Sequence, residues 1–525
     1  MAPVFTAYGP HAWSVRFADR PDEAAFHRSR SLTRALMRLS LPGLREVVPG
    51  PTTLLLEFTP GSRDADPAAL IQALASATAS NPTPLPERTV GIPVLYGGPD
   101  LERVARHSGL APETVIARHQ EGRYRVLCLG FSPGFPYLGG LDPSLATPRL
   151  PTPRLRVPAG SVAIGGEHAG IYSIPSPGGW NLIGQTSRAL FSPRASSPDD
   201  VFLLRAGDQV RFVPVRSLPT DSDPIGTPAP REAGTALLRI RSTGLGLSLQ
   251  DAGRPGHRRF GVPASGAMDP VSASWANRLL DNPPEAPVLE LCLQGQQLEV
   301  LRDGWIAVVG SSQARGLAPN RAFHARGGDR LDFGAPGPSG VWTYLAVPGG
   351  FCSESFLGSC SAHPRAGIGH ALQAGDTLST GSSTDWSPPA GVISRSVALD
   401  PESRISEVQP IRVWPGPQWD QFHEEQQARL FAAEWKVSSR CDRVGYRLEG
   451  PGLSWTGGSL ISEPVLPGSI QVPTDGQPIV TLHDGPTLGG YPKIGWIDDR
   501  DLPVLVQRRA GRSIRFIPAV TSADQ

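Results

Sequence analysis

The sequence contains very little lysine: Lys436 and Lys493 are its two lysines, and arginine supplies the rest of its 49 basic residues. The 48 acidic residues balance these charges, which argues against nucleic acid or an anionic membrane as a partner. The five cysteines form no CxxC pair, so a disulfide framework and a zinc site are not expected. Because no apolar run approaches about 18 residues and no signal-like segment opens the chain, we expect a soluble, cytoplasmic protein.

Glycine and proline are abundant instead, with 59 and 56 residues among alternating apolar positions. This composition is typical of a turn-rich β protein rather than of a disordered chain. Residues 216–234 are polar, rich in proline and without an apolar pattern. They predict a linker between two halves that could exist as separate polypeptides.

Two distant segments follow the same plan. The first comprises residues 157–162, 177–180, 183–184 and 206–212, and the second comprises residues 465–470, 488–491, 494–495 and 510–516. Two related β-rich units tend to pack about a pseudo-twofold axis, so we predict a ligand site in the cleft between them. Chance recurrence of Gly-Ser and Gly-Gly turns in a glycine-rich β protein is the alternative.

Local patterns predict how the chain is divided. We expect helices over residues 23–39, 67–77, 100–108, 112–119, 268–280 and 419–433. The predicted units are an α+β accessory domain (1–88), a β unit with the first repeat (89–215), the linker (216–234), a β-rich domain (235–400) and a β unit with the second repeat (401–525).

Two familiar catalytic motifs are excluded. Residues 130–134 fit the G-x-S-x-G pattern of a serine hydrolase, but Pro133 lacks the backbone N–H that its oxyanion hole requires. Neither lysine lies in a P-loop context. Phosphate could still be held by the glycine pairs 165–166, 178–179 and 489–490, although each pair also suits a simple hairpin turn.

Several polar groups are candidates for a site. Arg149 and Arg154 lie in a repeated Pro-Arg segment that suits an anion clamp or solvated surface charge. Asp269 lies in a dense polar set around a predicted helix start, where a capping role is the alternative. Carboxylates lie near arginine and lysine in the last part of the chain, and they suit either activation of a polar substrate or a surface ion-pair network. The group comprises Asp442, Arg443, Arg447, Glu463, Asp475, Asp484 and Lys493.

Longer motifs resemble a known pair of proteins. Residues 130–140 (GFSPGFPYLGG), 157–161 (VPAGS) and 177–180 (PGGW) resemble the B-type subunit of bacterial ATP-dependent 5-oxoprolinase. Residues 250–254 (QDAGR), 265–269 (SGAMD), 470–473 (IQVP) and 489–493 (GGYPK) resemble its C-type subunit. The similarity spans about residues 5–217 and 236–518, and extends to the carboxyltransferase region of urea carboxylase.

The resemblance implies a mainly β fold: two cyclophilin-like β-barrels related by the internal repeat, at residues 89–215 and 401–525, with smaller accessory domains. It also implies ATP-driven opening of 5-oxo-L-proline to L-glutamate, with Mg2+ and a separate A-type subunit. One alternative is a biotin-dependent carboxyltransferase acting on urea or a related amide, with biotin on another chain. Another is a non-catalytic regulatory protein, because a B-type relative inhibits a sensor kinase.

On this resemblance the expected catalytic residues are Asp251, Asp269, Asp484 and Lys493. The expected substrate- or nucleotide-binding residues are Arg149, Arg154, His168, Tyr172, Gly178, Gly179, Trp180, Gln250, Arg254, Asn277, Arg443, Glu463, Gln471, Gly489, Gly490 and Tyr491. No metal site built from protein ligands is expected, and self-association is left open. This chain departs from the motifs of the family at His168, Cys360 and His370. These departures leave the expected fold unchanged but leave the identity of the substrate open.

Overall fold

The computed structural model describes residues 3–20, 23–39, 41–60, 88–195, 200–218, 234–311, 320–334, 340–381, 386–389, 394–397, 409–458 and 460–519. The predicted helix 67–77 and most of the predicted linker lie outside the described residues. Within these ranges, no helix has both the length and the apolar character that crossing a membrane requires.

The N-terminal unit is one helix packed on an antiparallel sheet. Helix α1 (Glu23–Leu39) has the predicted bounds, and its buried Ala25, Leu32 and Leu36 pack on the sheet. Glu23 in its first turn and Arg38 in its last turn match the helix dipole. The strands are β1 (Val4–Ala7), β2 (Ala12–Arg16), β3 (Leu44–Pro49) and β4 (Thr53–Phe58), in the spatial order β1-β2-β4-β3.

A closed seven-stranded barrel follows. Its strands are β5 (Thr89–Tyr96), β6 (Tyr124–Leu129), β7 (Pro136–Gly139), β9 (Ser161–Gly165), β10 (His168–Ile171), β12 (Asn181–Gln185) and β13 (Gln209–Pro214). They lie in the spatial order β5-β12-β9-β10-β7-β6-β13. A separate pair, β8 (Arg154–Val157) and β11 (Ser176–Gly178), forms a two-stranded flap, which we call the first flap. Helices α2 (Leu101–Ser108) and α3 (Pro112–Glu121) connect β5 to β6.

The last part of the chain repeats this topology strand for strand. Its strands are β24 (Ile411–Pro415), β25 (Glu434–Val437), β26 (Gly445–Glu449), β27 (Glu463–Pro464), β28 (Ser469–Gln471), β29 (Ile479–Thr481), β30 (Leu488–Gly489), β31 (Lys493–Ile497) and β32 (Ser513–Pro518). The second barrel has the order β24-β31-β28-β29-β26-β25-β32, with the pair β27–β30 as the second flap. In each barrel the first and last strands are parallel neighbours.

Equivalent glycines mark this repeat in the backbone. Gly160 and Gly468 both adopt positive φ, 79° and 89°, where a side chain would be strained. The Gly160 N–H donates to the Tyr172 carbonyl at 2.6 Å, and the Gly468 N–H donates to the Thr481 carbonyl at 2.7 Å. The predicted mainly β fold with two closed barrels is therefore confirmed, and the repeated motifs occupy equivalent strands.

Two further sheets and a helix lie between the barrels in sequence. Helix α4 (Pro270–Arg278) packs on the larger sheet, and one apolar core runs from this helix into the second barrel. The smaller sheet contains β20 (Arg330–Asp332), β17 (Gln296–Val300), β14 (Thr235–Thr243) and β22 (Thr377–Thr380). The larger contains β15 (Leu247–Gln250), β16 (Val288–Cys292), β21 (Trp342–Ala346), β18 (Gly304–Gly310), β19 (Arg321–Ala325) and β23 (Arg395–Ser396).

The helix predicted over 419–433 is interrupted, which corrects that prediction. A short 3-10 turn, Trp419–Gln421, precedes helix α5 (Glu424–Ala432), and the last helix is α6 (Leu502–Val506). Phe422 and His423 between them have extended backbone. The Phe422 side chain is buried in the core, so packing breaks a segment whose pattern reads as one helix.

The two halves of the chain interlock. Leu488 of the second flap is buried among aromatic residues of the first barrel, in a cluster that includes Phe135, Tyr137 and Trp180. In the opposite direction, Tyr8 of the N-terminal unit hydrogen-bonds Ser469 of the second barrel. Each half therefore buries apolar surface that it would expose alone.

Candidate functional site

Side chains of both halves of the chain meet where the second flap lies on the first barrel, and we call this contact region the cleft. Arg149, exposed at its mouth, donates through Nη2 to Ser462 Oγ at 3.0 Å. Its guanidinium carbon lies 5.8 Å from the Trp180 ring centre, within cation–π range. One cation thus joins the aromatic wall of the first barrel to the second flap.

His168 lies behind this cation. Its side chain is buried, and the pKa falls to about 4 because burial and the nearby Arg149 charge both disfavour the imidazolium. The ring is therefore neutral at physiological pH. No hydrogen-bond partner for its Nε2 occurs among the described residues. A buried nitrogen without a protein partner calls for another polar group, such as a ligand atom or an ordered water molecule.

Glycines in the flaps permit close approach. A Cβ at Gly178 would collide with the Tyr172 hydroxyl, and one at Gly490 would meet the Arg149 guanidinium at 2.5 Å. Gly179 accepts a hydrogen bond from the backbone of Leu150, which holds the arginine-bearing loop against the first flap. The glycine pairs thus allow tight packing at the cleft.

The second barrel contributes a buried charge pair. Lys493 is 1% exposed, and its Nζ lies 2.9 Å from Glu463 Oε2. Gln418 donates to the same carboxylate oxygen at 2.9 Å and accepts from the Lys493 N–H at 3.0 Å. Gln471 pairs with Lys493 across β28 and β31 and lies against Gly489. This network ties a buried cation of the second barrel, Lys493, to a carboxylate of the second flap, Glu463.

A second polar cluster is centred on Arg443. Its guanidinium binds Asp484 at 2.7 Å, ion-pairs with Glu290, and donates to the Gly266 carbonyl at 2.8 Å. Burial disfavours ionisation of Asp484, but Arg443 and the nearby His363 together outweigh that effect and hold its pKa well below the usual range. For Glu290, burial prevails and raises the pKa. Arg443 therefore compensates the charge of Asp484 fully, with the help of His363, and that of Glu290 in part.

Asp251 and Arg254 hold the loop at residues 358–361 against this cluster. Asp251 accepts from the hydroxyls of Ser359 and Ser361, each at 2.6 Å, and from the Cys360 N–H at 2.6 Å. Arg254 donates to the Ser361 carbonyl, and burial lowers its pKa to about 10. Its Nη1 has no hydrogen-bond partner in the described part of the chain. Gln250, next to Asp251 in the chain, accepts a hydrogen bond from Arg443 at 3.4 Å and so links the Asp251–Arg254 loop contacts to the Arg443 cluster.

Asp269 has the contacts of a helix cap. Its carboxylate accepts from the Ser272 N–H at 3.1 Å and hydroxyl at 2.6 Å, at the start of α4, and from Gln507 Nε2 at 3.0 Å. Asn277, at the other end of α4, donates to the Pro284 and Ala286 carbonyls and lies in neither cluster.

We expect Asp269→Ala to lower the free energy of unfolding by about 1 kcal/mol, because the amino end of α4 loses its acceptor. Asp269→Ser keeps an acceptor and should recover most of this loss. Urea unfolding of both variants is the measurement. A catalytic Asp269 would give the opposite pattern, with stability retained and turnover lost in both variants.

The structure therefore divides the predicted residues between two places. The cleft holds Arg149, Arg154, His168, Tyr172, Gly178, Gly179, Trp180, Glu463, Gln471, Gly489, Gly490, Tyr491 and Lys493. The Arg443 cluster holds Gln250, Asp251, Arg254, Asp484 and, through Tyr344 and Glu290, Asp269. Residues 484–490 run from one place to the other.

Glu290, Gln418 and Leu488 are among the residues of these networks that were not predicted. Glu290 is the charged residue in an otherwise apolar strand, and a charge in such a strand indicates a buried ion pair or a site residue. Gln418 and Leu488 give no comparable local signal, since their roles depend on contacts with distant residues.

Comparisons with known proteins agree with the two-part organisation. The family described as carboxyltransferase domain, subdomains A and B, matches residues 260–518, and subdomains C and D match residues 3–202. The chain is 35% identical over 291 residues to the C-type subunit of 5-oxoprolinase from Escherichia coli K12, covering 54% of this chain and 91% of that protein. It is 53% identical over 129 residues to the B-type subunit of 5-oxoprolinase from Bacillus subtilis 168, covering 24% of this chain and 52% of that protein.

A solved structure extends the similarity to almost the whole chain. The crystal structure of TTHA0988 is 39% identical, with a TM-score of 0.84, covering 96% of this chain and 99% of that one. Both halves therefore occur together in another protein of the same fold. This chain belongs to the carboxyltransferase-domain family, which includes the B-type and C-type subunits of 5-oxoprolinase.

Proposed function

We propose that this chain is a fused component of an ATP-dependent amidohydrolase that opens a cyclic amide, 5-oxo-L-proline, to L-glutamate with a separate A-type partner protein. The cleft carries the proposal, because residues of both halves line it: Arg149 of the B-type half binds Ser462 of the C-type half. A cytoplasmic location is part of the proposal.

The polar groups of the cleft fit ATP and a small anionic amide. Arg149 is exposed at the mouth, and Nε2 of His168 and Nη1 of Arg154 are buried without partners among the described residues. These atoms suit phosphate or carboxylate oxygens. No group of three or more metal-binding side chains occurs in the described ranges. A Mg2+ ion bound mainly through phosphates and water requires fewer protein ligands.

ATP would supply a phosphoryl group to the amide oxygen, with ADP as the leaving group, and this would make the ring carbon electrophilic. Water would then add to that carbon, the ring C–N bond would break, and L-glutamate and inorganic phosphate would be the products. The residues of the chain would bind and orient the reactants for that step. Arg149 would pair with an anionic group of ATP or of the substrate. Tyr172 and Trp180 would contact the ring of the cyclic amide, and neutral His168 would hydrogen-bond a polar atom of the substrate. The Lys493–Glu463 pair would hold the second flap in place. Asp251 and Asp484 would maintain the neighbouring loop.

The test is turnover by the full chain mixed with the purified A-type partner from the same source. We expect phosphate and glutamate only when ATP, 5-oxoproline and both proteins are present. Arg149→Gln should lower kcat/KM about 10- to 100-fold, the effect of losing one charged hydrogen bond. Arg211→Gln, on the exposed face of β13, should leave it unchanged.

Carboxyl transfer is the second candidate function, favoured by the carboxyltransferase description of the family that matches both halves. It would require biotin on another chain and urea or a related amide as acceptor. Product formation that depends on carboxybiotin, with no glutamate from 5-oxoproline, would replace the first proposal by this one. Absence of both activities in a folded protein would favour a regulatory binding role.

A further inference from the structure

The first flap exposes an unusual amount of apolar surface. Leu155 of β8 is 93% exposed, although it lies in a regular strand between two arginines. Pro151, Pro153 and Pro177 beside it are also exposed. A single exposed leucine is ordinary in a soluble protein. Leu155, however, lies with the exposed Pro177 of the same flap and with Pro151 and Pro153 of the segment that leads into it, and together they form a patch suited to a partner.

The internal repeat shows what such a flap does elsewhere in the molecule. In the second flap, Leu488 is fully buried in the first barrel. Pro177 occupies the equivalent position of the first flap and is exposed. One of the two equivalent flaps therefore covers a neighbouring barrel within this chain, whereas the outer surface of the other remains uncovered.

The charge around the first flap indicates the chemistry of a partner. Residues 148–188 contain four arginines, Arg149, Arg154, Arg156 and Arg188, against the one acidic residue Glu167, and Arg154 is ion-paired with Asp100 at 2.7 Å. Arg156 is exposed directly beside Leu155. A complementary surface would present an apolar pocket within an acidic rim, since interfaces combine an apolar centre with a charged periphery.

We propose that the first flap is the docking surface for the separate A-type partner, with Leu155 as its central anchor. This inference rests on the proposed function, from which it takes the partner. The flap also carries Arg154 and Gly178, which border the cleft. A partner bound there covers the mouth of the cleft next to Arg149, which explains why the chain would need a second protein for turnover.

The experiment measures binding of the full chain to the purified A-type partner from the same source by isothermal titration calorimetry. Leu155→Glu should raise the Kd by about 30-fold or more, the effect expected of an interface anchor. Arg156→Glu should raise the Kd and weaken its dependence on salt concentration, because a cation of the interface is replaced by an anion. Leu245→Glu is the matched control, because Leu245 is 64% exposed in a distant turn, and its Kd should equal that of the wild type. Thermal melts confirm that all three variants fold.

Three results would overturn the proposal: equal Kd values for the wild type and Leu155→Glu, no complex between the wild type and the A-type partner, or a wild-type dimer in sedimentation that Leu155→Glu dissociates. The last result would assign the flap to a second copy of this chain. Binding that depends on Leu155 without glutamate formation would support the docking surface and reject the proposed reaction, so the two failures are distinguishable.

Discussion

Replacing Arg443 with methionine is expected to lower the free energy of unfolding by about 3–5 kcal/mol, because removing one partner leaves buried charges uncompensated. Glu290 is 1% exposed and Asp484 is 7% exposed, and both depend on this guanidinium. Urea unfolding at neutral pH is the measurement. Arg447→Met, on the exposed face of β26, should change stability by less than about 0.5 kcal/mol.

The pH dependence of this loss follows from the direction of each shift. In the wild type the pKa of Asp484 is depressed, so its contribution is present above the unfolded value of about 3.9 and is lost as pH falls below it. In Arg443→Met the pKa of Glu290 should rise further above its unfolded value, because burial then acts without the guanidinium, while Asp484 keeps His363 as a partner. Stability of the variant should therefore rise as pH falls from 7 towards about 4.5, which narrows the gap to the wild type. A gap that is independent of pH would contradict this account of the cluster.

Truncation of Leu488 is the second large effect. Leu488→Ala should cost about 2–5 kcal/mol, because it opens a cavity where the second flap enters the aromatic cluster of the first barrel. Leu488→Met nearly conserves volume and should cost less than about 1.5 kcal/mol. Both are measured by urea unfolding, with the exposed Leu245→Ala as the control. A loss below about 1 kcal/mol for Leu488→Ala would show that the flap does not seat in the first barrel.

Much of the fold could be predicted because it depends on local patterns. Helix α1 has the predicted bounds, since its apolar residues recur at helical spacing. The segment 419–433 has a similar pattern, yet it divides at Phe422 because burying that ring requires extended backbone. A preference read from neighbouring residues cannot anticipate a conformation that the distant core imposes.

The residues predicted for the site do not all lie in one place. Thirteen of the twenty proposed residues lie at the cleft, but Asp269 and Asn277 have the contacts of structural groups at the two ends of α4. A polar residue beside a helix start has the same local pattern in either role. Its hydrogen-bond partners, which the folded chain supplies, distinguish a cap from a free catalytic group.

The sequence by itself determined the repeated strand plan, because turn glycines such as Gly160 and Gly468 and the alternation of apolar residues act over a few neighbouring positions. The tertiary structure alone decided which flap is covered and which charges meet. Leu488 enters a barrel formed hundreds of residues earlier, and Arg443 meets Glu290 across 153 positions. Such contacts depend on how whole sheets pack, and the spacing of residues along the chain carries no record of that arrangement.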